Sequence, residues 1–172
     1  MGSTERAHDV FKYRVAAPDG AAGHVRDLLF DDHDWRVHYV VVDVHQGLSR
    51  RQVLISPACV HHADAGLRRL DVSLGREQIR RGPDVDAARP GDPHLQSVRA
   101  GRGYTVITRD AAAGHVVDFV VDCAAWTVTD VVVARHHWLA GPRLVLPVGA
   151  VEHVSWLGKA VYLDAEALGR TA

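Results

Sequence analysis

The sequence predicts a mainly β fold of two tandem small antiparallel β-barrels, joined by a short helix and a proline- and glycine-rich linker. Three observations support this class. The chain repeats itself at a fixed offset of 91 residues. Each copy contains short segments rich in Val, Leu and Phe, in which apolar and polar residues partly alternate as they do in β-strands. Between the copies, prolines and glycines interrupt the chain, and neither residue suits a regular element.

The repeat is the first of these observations. Residues Tyr13–Val72 align with Tyr104–Leu163 without a gap, and most of the remaining pairs keep their apolar character. A gapless match of this density indicates duplication of one module. Identical pairs include Tyr13/Tyr104, Gly23/Gly114, Asp27/Asp118, Asp31/Asp122, Trp35/Trp126 and Val40–Val42/Val131–Val133.

The predicted strands follow in the same order in both copies. In the first copy Phe11–Ala16 opens the module, and His24–Asp31 and Arg36–Asp43 form a hairpin around a polar turn. Arg51–Ser56 and Leu67–Ser73 supply two more strands. Five or six short strands in about 60 residues predict a closed or nearly closed barrel, which leaves few exposed edges. The matching segments of the second copy are Tyr104–Thr108, His115–Asp122, Thr127–Ala134, Arg143–Pro147 and Ala160–Asp164.

The segment between the copies begins with a predicted helix, Leu74–Arg81, for which Ser73 is the candidate N-cap. Residues Gly82–Gly101 contain three prolines and are predicted to be a linker. The predicted domains are therefore a first barrel at 8–81, a linker at 82–101 and a second barrel at 102–168.

The hairpin motifs resemble those of the PRC-barrel family. They are Gly23–Asp31 followed by Trp35–Asp43, and then Val53–Pro57, which is similar to the family's next strand and its Ser-Pro corner. The second copy matches through Gly114–Asp122 and Trp126–Val133, and the inter-copy segment is similar to that of bacterial tandem members. The resemblance covers nearly the whole chain.

Known members of this family include the cytoplasmic domain of the photosynthetic reaction-centre H subunit and the C-terminal barrel of a ribosome maturation factor. The resemblance therefore implies a non-catalytic interaction or assembly module, first of all one that supports a membrane-associated, reaction-centre-like complex. A ribosome- or RNA-associated binding protein is the alternative. A metal or pH sensor that uses histidines is a third possibility.

Composition limits the partners. The formal net charge is -1 and the sequence pI is near 6.9, so the basic excess typical of nucleic-acid binding is missing. No apolar run has the roughly 18 residues needed to span a bilayer. We therefore expect a soluble, cytoplasmic protein that binds an unknown protein partner, self-associates, and meets a membrane complex only peripherally. Cys59 and Cys123 have no CxxC spacing, and we expect both to be reduced.

Histidine is the one candidate for metal chemistry, because imidazole is the commonest transition-metal ligand. The pairs His61–His62 and His136–His137 are weak candidates, since adjacent side chains on a strand point to opposite faces. The acidic turn Asp31–Asp34 offers carboxylate oxygens, but it lacks the glycine and distal glutamate of a calcium loop.

No segment matches a catalytic or phosphate-binding motif, so we expect no enzymatic activity and no cofactor. The tryptophans instead indicate contact surfaces. Trp35 and Trp126 match each other and are predicted to pack over the hairpins, whereas Trp138 and Trp156 have no counterpart. Exposed tryptophan is enriched at protein interfaces, so Trp138, Trp156 and the neighbouring His136 are the predicted interface residues.

Overall fold

Strands dominate the computed structural model, which describes residues 4–88, 92–109, 111–135 and 143–164. The mainly β prediction is confirmed, and the strands form two seven-stranded sheets. The strands are β1 Thr4–Arg6, β2 Arg14–Ala17, β3 Gly20–Asp31, β4 Val37–Gln46, β5 Ser49–Ile55, β6 Val60–Asp64, β7 Arg69–Val72, β8 Leu95–Ser97, β9 Thr105–Thr108, β10 Ala111–Asp122, β11 Thr127–Ala134, β12 Arg143–Pro147, β13 Val151–Ser155 and β14 Ala160–Leu163. The helices are α1 Ala7–Val10, α2 Arg76–Arg80, α3 Val85–Ala88 and α4 Val98–Gly101.

The two sheets have the same strand order. The first runs β5-β4-β3-β2-β7-β6, and the second runs β12-β11-β10-β9-β14-β13. Most of the matching strands lie at the 91-residue offset, and so do two short 3-10 turns, Pro57–Cys59 and Val148–Ala150. The duplication read from the sequence is therefore also present in the backbone.

Each sheet contains one parallel pair, β2 with β7 and β9 with β14. The purely antiparallel prediction is wrong at this point, because β7 and β14 return to the sheet beside the first strand of the module in the same direction. Within the described residues the outer strands β5 and β6 do not pair, nor do β12 and β13. The structure thus shows two open sheets, and it does not confirm closed barrels.

A short arm, Thr4–Val10 before the first repeat and Leu95–Gly101 before the second, pairs with the sheet of the other repeat. β1 pairs with β10 through Thr4↔Asp122, and β8 pairs with β3 through Leu95↔Asp31. Both pairs obey the 91-residue offset, so the exchange of arms is reciprocal. The repeating unit therefore begins at Thr4 and Leu95, before the sequence match that starts at Tyr13 and Tyr104.

The start of β4 meets the start of β11 where the two repeats are related by a pseudo-twofold axis. Arg36 and Thr127 form an antiparallel bridge, and these two positions are equivalent. On its two sides Val37 N donates to Trp126 O, and Val128 N donates to Trp35 O, each at 2.8 Å. The repeats thus pair with each other within one chain.

Both repeats share one hydrophobic core. Phe30 and Phe119 come from different sheets and approach to 6.4 Å between ring centroids. A smaller cluster covers the other face of the first sheet and includes Leu54, Val85 and Leu95. Because the residues that fill the core come from both copies, burial of apolar surface stabilises the pair as a unit.

The inter-copy segment contains more structure than the predicted linker. α2 begins at Arg76 with Gly75 as its N-cap, so the helix predicted from Leu74 and capped by Ser73 starts two residues late. Residues 82–101 contain α3, β8 and α4, and Leu54 N donates to Pro83 O at 2.9 Å along the edge of β5. This segment covers a sheet edge. The division into domains at residues 81 and 101 stays a prediction.

Glycine is required at two equivalent positions. A Cβ on Gly23 would overlap the carbonyl oxygen of Asp43, and a Cβ on Gly114 would overlap that of Ala134. In both sheets a bulge next to this glycine shifts the register of the long strand.

Phe11 lies at the end of α1 and not in the first predicted strand, which begins at Arg14.

Candidate functional site

A surface cleft of about 810 Å³ lies between the two repeats. The first repeat lines it with the start of β4, the Ser56–Ala58 turn and most of β6, and the second repeat lines it with the Cys123–Trp126 turn. The cleft exists because the β4–β11 bridge places the hairpin turn of one repeat beside β4 of the other.

Local hydrogen bonds shape both walls of the cleft. Asp122 Oδ1 accepts from Ala124 N at 2.8 Å and from Ala125 N at 3.1 Å, and Trp126 closes the turn at a φ of 52°. On the opposite wall, Ser56 Oγ accepts from Ala58 N at 3.2 Å. These hydrogen bonds fix the backbone of both walls.

The lining combines an apolar floor with polar walls. Pro57 and Trp126 are buried, whereas His38, His61 and His62 are exposed. A cleft with an apolar centre and a few hydrogen-bonding groups at its edge is suited to binding a ligand or a protein segment.

Two of the four predicted metal candidates, His61 and His62, lie within the described residues. His61 and His62 lie on β6, and in the described part of the chain neither belongs to a cluster of three potential ligands. The predicted candidates His136 and His137 lie outside the described residues. The structure therefore gives no support to a metal site on His61 and His62.

A different group of potential ligands forms at the β3–β4 turn. Asp32 and His33 from this turn meet His94, and one ligand atom of each lies within 4.8 Å of the others. His94 Nδ1 is 3.0 Å from Asp32 Oδ1, and His33 Nδ1 is 3.5 Å from the same oxygen. Sequence reasoning missed this cluster because His94 is remote in the chain and lies in the predicted linker.

Asp31 and Asp34 shape the same turn. Asp31 Oδ1 accepts from His33 N at 2.8 Å, and this backbone hydrogen bond, with nearby histidines, lowers the pKa of the Asp31 carboxyl. Asp34 Oδ1 accepts from Arg36 N at 2.9 Å. Asp31 and Asp34 thus cap this turn, as Asp122 caps the equivalent turn of the second repeat.

Asp27 and Asp118 are buried and bind the exchanged arms. Asp27 accepts hydrogen bonds from Leu28 N at 2.8 Å, from Arg99 N at 3.0 Å and from Ser97 Oγ. Asp118 accepts from the backbone N of His8 at 3.3 Å and contacts the ring of the same residue. His8 and Arg99 are equivalent positions, so each aspartate holds the arm of the other repeat. Burial raises the pKa of Asp27, although these hydrogen bonds oppose the shift.

Trp156 contacts both repeats. Its Nε1 donates to Asp32 Oδ2 at 2.6 Å, and its ring lies 5.9 Å from that of Phe30 and 5.5 Å from that of Tyr104. Trp35 stacks on Phe30 at 5.3 Å, in keeping with the predicted packing over the hairpin. Trp138 and His136 lie outside the described residues, so their interface role stays a prediction.

The two cysteines are free thiols. Burial raises the pKa of Cys123 to about 12, so this thiol stays protonated at neutral pH and is a poor nucleophile. Among the described residues no helix has the length and apolar character needed to cross a bilayer.

The fold and its sites define a duplicated, pseudo-twofold β protein whose cleft and ligand cluster are suited to binding. No protein-family model matches the chain, and no curated protein matches it. Among solved structures, a 16S ribosomal RNA processing protein, RimM, from Pseudomonas aeruginosa is similar over 80% of this chain and 76% of its own, at 16% identity and a TM-score of 0.32.

Proposed function

We propose that this chain is a non-catalytic interaction and assembly module of the PRC-barrel type, which binds a protein partner in the cleft between its repeats. One observation carries the proposal: the cleft is built from both repeats, which a shared core and reciprocal arms hold together. A fixed cleft binds without the entropic cost of ordering its own walls.

The lining favours a protein segment as the ligand. Trp126 and Pro57 offer apolar contact, and Arg36 with three exposed histidines offers hydrogen bonds at the edge. Tryptophan and arginine are enriched among the residues that dominate protein interfaces. The pairing of equivalent surfaces already occurs inside one chain, so self-association is not needed to complete the fold.

In its first specific form, the proposal is that this chain supports the assembly of a membrane-associated complex, by analogy with the reaction-centre H subunit. Its basis is the resemblance of the hairpin motifs. A ribosome-associated role is the alternative, and the identity of the captured partner separates the two.

The test is affinity capture from the native cell, followed by mass spectrometry, with a blocked cleft. Ala58 is exposed and lines the cleft, so Ala58→Arg fills it without touching the core. Ala21→Arg is the matched control, because Ala21 is an exposed alanine on β3 outside the cleft lining.

We expect a specific partner to be recovered with the wild type and with Ala21→Arg, and to be lost with Ala58→Arg. Components of a membrane complex would support the first form, and ribosomal proteins the alternative. Recovery of the same proteins with all three baits would contradict binding in the cleft.

A further inference from the structure

We propose that Asp32, His33 and His94 form a binding site for one divalent transition-metal ion of the zinc type. The site lies at the β3–β4 turn, its three residues do not line the cleft, and the proposal is independent of the proposed function. The observation that carries it is the convergence of two imidazoles and one carboxylate from segments remote in sequence.

The spacing of the donor atoms suits such an ion. Zinc–ligand bonds of about 2.0–2.2 Å in tetrahedral geometry separate neighbouring donors by about 3.3–3.6 Å. The structure has 3.0 Å between His94 Nδ1 and Asp32 Oδ1 and 3.5 Å between His33 Nδ1 and Asp32 Oδ1. The two imidazole rings meet edge to face, with centroids 4.0 Å apart. Small side-chain adjustments would therefore complete the coordination.

A second, independent observation is the support around Asp32. Trp156 Nε1 donates to Asp32 Oδ2, which leaves Oδ1 facing both histidines. Ligating carboxylates are commonly held in this way by an outer hydrogen bond, and losing such a bond typically weakens metal binding by about 10–100-fold.

The backbone of each ligand is also anchored. Asp32 N donates to His94 O at 3.1 Å, which ties the turn to the inter-copy segment. His94 N donates to Asp92 Oδ1 at 2.9 Å, and His33 N donates to Asp31 Oδ1 at 2.8 Å. The Asp32 side chain is mostly shielded, whereas that of His33 is 68% exposed and that of His94 is 49% exposed, so water or a partner can supply a fourth ligand.

The neighbouring group of Asp31, Asp34 and His38 is a weaker candidate. It has one imidazole, and both carboxylates already accept backbone hydrogen bonds. Arg36 Nε also lies 4.0 Å from Asp34, and its positive charge opposes a cation there. Two imidazoles favour zinc, nickel or copper over magnesium or calcium, which prefer oxygen ligands.

The equivalent turn of the second repeat does not carry this pair of ligands. At the 91-residue offset Asp32 and His33 correspond to Cys123 and Ala124, so the second repeat lacks these ligands. A bound ion would join the first repeat's turn to the inter-copy segment and, through Trp156, to the second repeat. It would therefore stabilise the folded chain increasingly as the free zinc concentration rises above the dissociation constant.

The test is calorimetric titration of the untagged protein with zinc chloride, together with thermal melting. We expect the wild type to bind zinc and its melting temperature to rise by about 5–10 °C at a hundredfold excess over the dissociation constant. His33→Ala, His94→Ala and Asp32→Asn should each lose one zinc equivalent, and Trp156→Phe should weaken that equivalent by about tenfold or more.

The matched control is the double variant His61→Ala/His62→Ala, which removes an exposed histidine pair outside the cluster. It should keep the same zinc equivalent as the wild type. Circular dichroism of each variant without zinc verifies the fold, and exposure of both histidines makes misfolding an unexpected cause of lost binding. The proposal is overturned if the wild type binds no zinc, if His33→Ala and His94→Ala bind it unchanged, or if the control loses it.

Discussion

Replacing Asp27 by alanine removes the acceptor that joins β3 of the first repeat to the arm of the second. Asp27 accepts from Leu28 N within its own strand, and from Ser97 Oγ and Arg99 N across the exchange. Its side chain is buried, so water does not replace these bonds in the variant.

The magnitude follows from the three donors. A buried donor left without an acceptor costs about 1–3 kcal/mol, and the two backbone donors have no rotational freedom with which to find another. Relief of the buried charge, which burial makes unfavourable, offsets part of this cost. We therefore expect the free energy of unfolding to fall by about 3–5 kcal/mol.

Urea unfolding followed by tryptophan fluorescence measures the change from the shift in midpoint at constant slope. Asp34→Ala is the control, because Asp34 is an exposed turn aspartate that accepts a backbone hydrogen bond from Arg36 N. This substitution should lower the free energy of unfolding by less than about 1 kcal/mol. A loss of less than about 1 kcal/mol for Asp27→Ala would refute the role of Asp27 as the anchor of the exchanged arm.

Three further predictions concern the same framework. Gly23→Ala and Gly114→Ala should each destabilise the protein by about 2 kcal/mol or more in urea unfolding, because the added Cβ overlaps a carbonyl oxygen. Gly149→Ala is the control, since a Cβ there meets nothing within 4 Å. Its free energy of unfolding should stay within about 0.5 kcal/mol of wild type. The raised pKa of Asp27 means that the folded state holds its proton more tightly than the unfolded chain. The stability from this group is thus complete below the unfolded pKa and lost as pH rises through the folded one. Relative to Asp27→Asn, the wild type should therefore lose stability as the pH is raised from 3 to 7, and equal pH profiles would contradict the assignment. Cys123, with its pKa near 12, should react with a thiol reagent at pH 8 only after unfolding, and mass spectrometry showing rapid labelling of Cys123 in the native protein would rule out its burial.

Local sequence was sufficient for the framework of each repeat. The duplication is visible as identical residues, and the hairpin around Asp32–Trp35 follows from a polar turn between two strands rich in Val, Leu and Phe. β11 and β12 match the predicted Thr127–Ala134 and Arg143–Pro147. Strand periodicity and turn chemistry are local properties, which is why they can be predicted from one sequence.

The exchange of arms could not be predicted from the same signals. Thr4–Val10 and Leu95–Gly101 occupy equivalent places, yet they share no identical residue at any aligned position. What is common to them is backbone pairing with the opposite sheet, and each segment is too short to show periodicity. The sequence also does not predict that β2 pairs in parallel with β7 and β9 with β14. The direction of each pair depends on how the chain returns to the sheet, which the residues of a strand do not show.

The candidate sites also depend on contacts between remote segments, which local sequence signals do not predict. The sequence drew attention to the His61–His62 pair because the two residues are adjacent, and adjacency on a strand separates side chains. The cluster of Asp32, His33 and His94 depends on the inter-copy segment lying against the first hairpin. Trp156 lacks a counterpart in the first repeat, and this absence was the one signal that linked it to a contact between repeats.

The two repeats pair within one chain about the Arg36–Thr127 bridge. Val37 N and Val128 N donate on either side of it, so the two residues form a non-hydrogen-bonded pair with Cα atoms about 4.5 Å apart, which suits a disulfide. The most direct measurement is oxidation of Arg36→Cys/Thr127→Cys in a background with Cys59 and Cys123 replaced by alanine. We predict rapid loss of two hydrogens by mass spectrometry in a chain that stays monomeric on a non-reducing gel. Failure to oxidise, or cross-linking only between chains, would contradict the pairing of the two repeats within one chain.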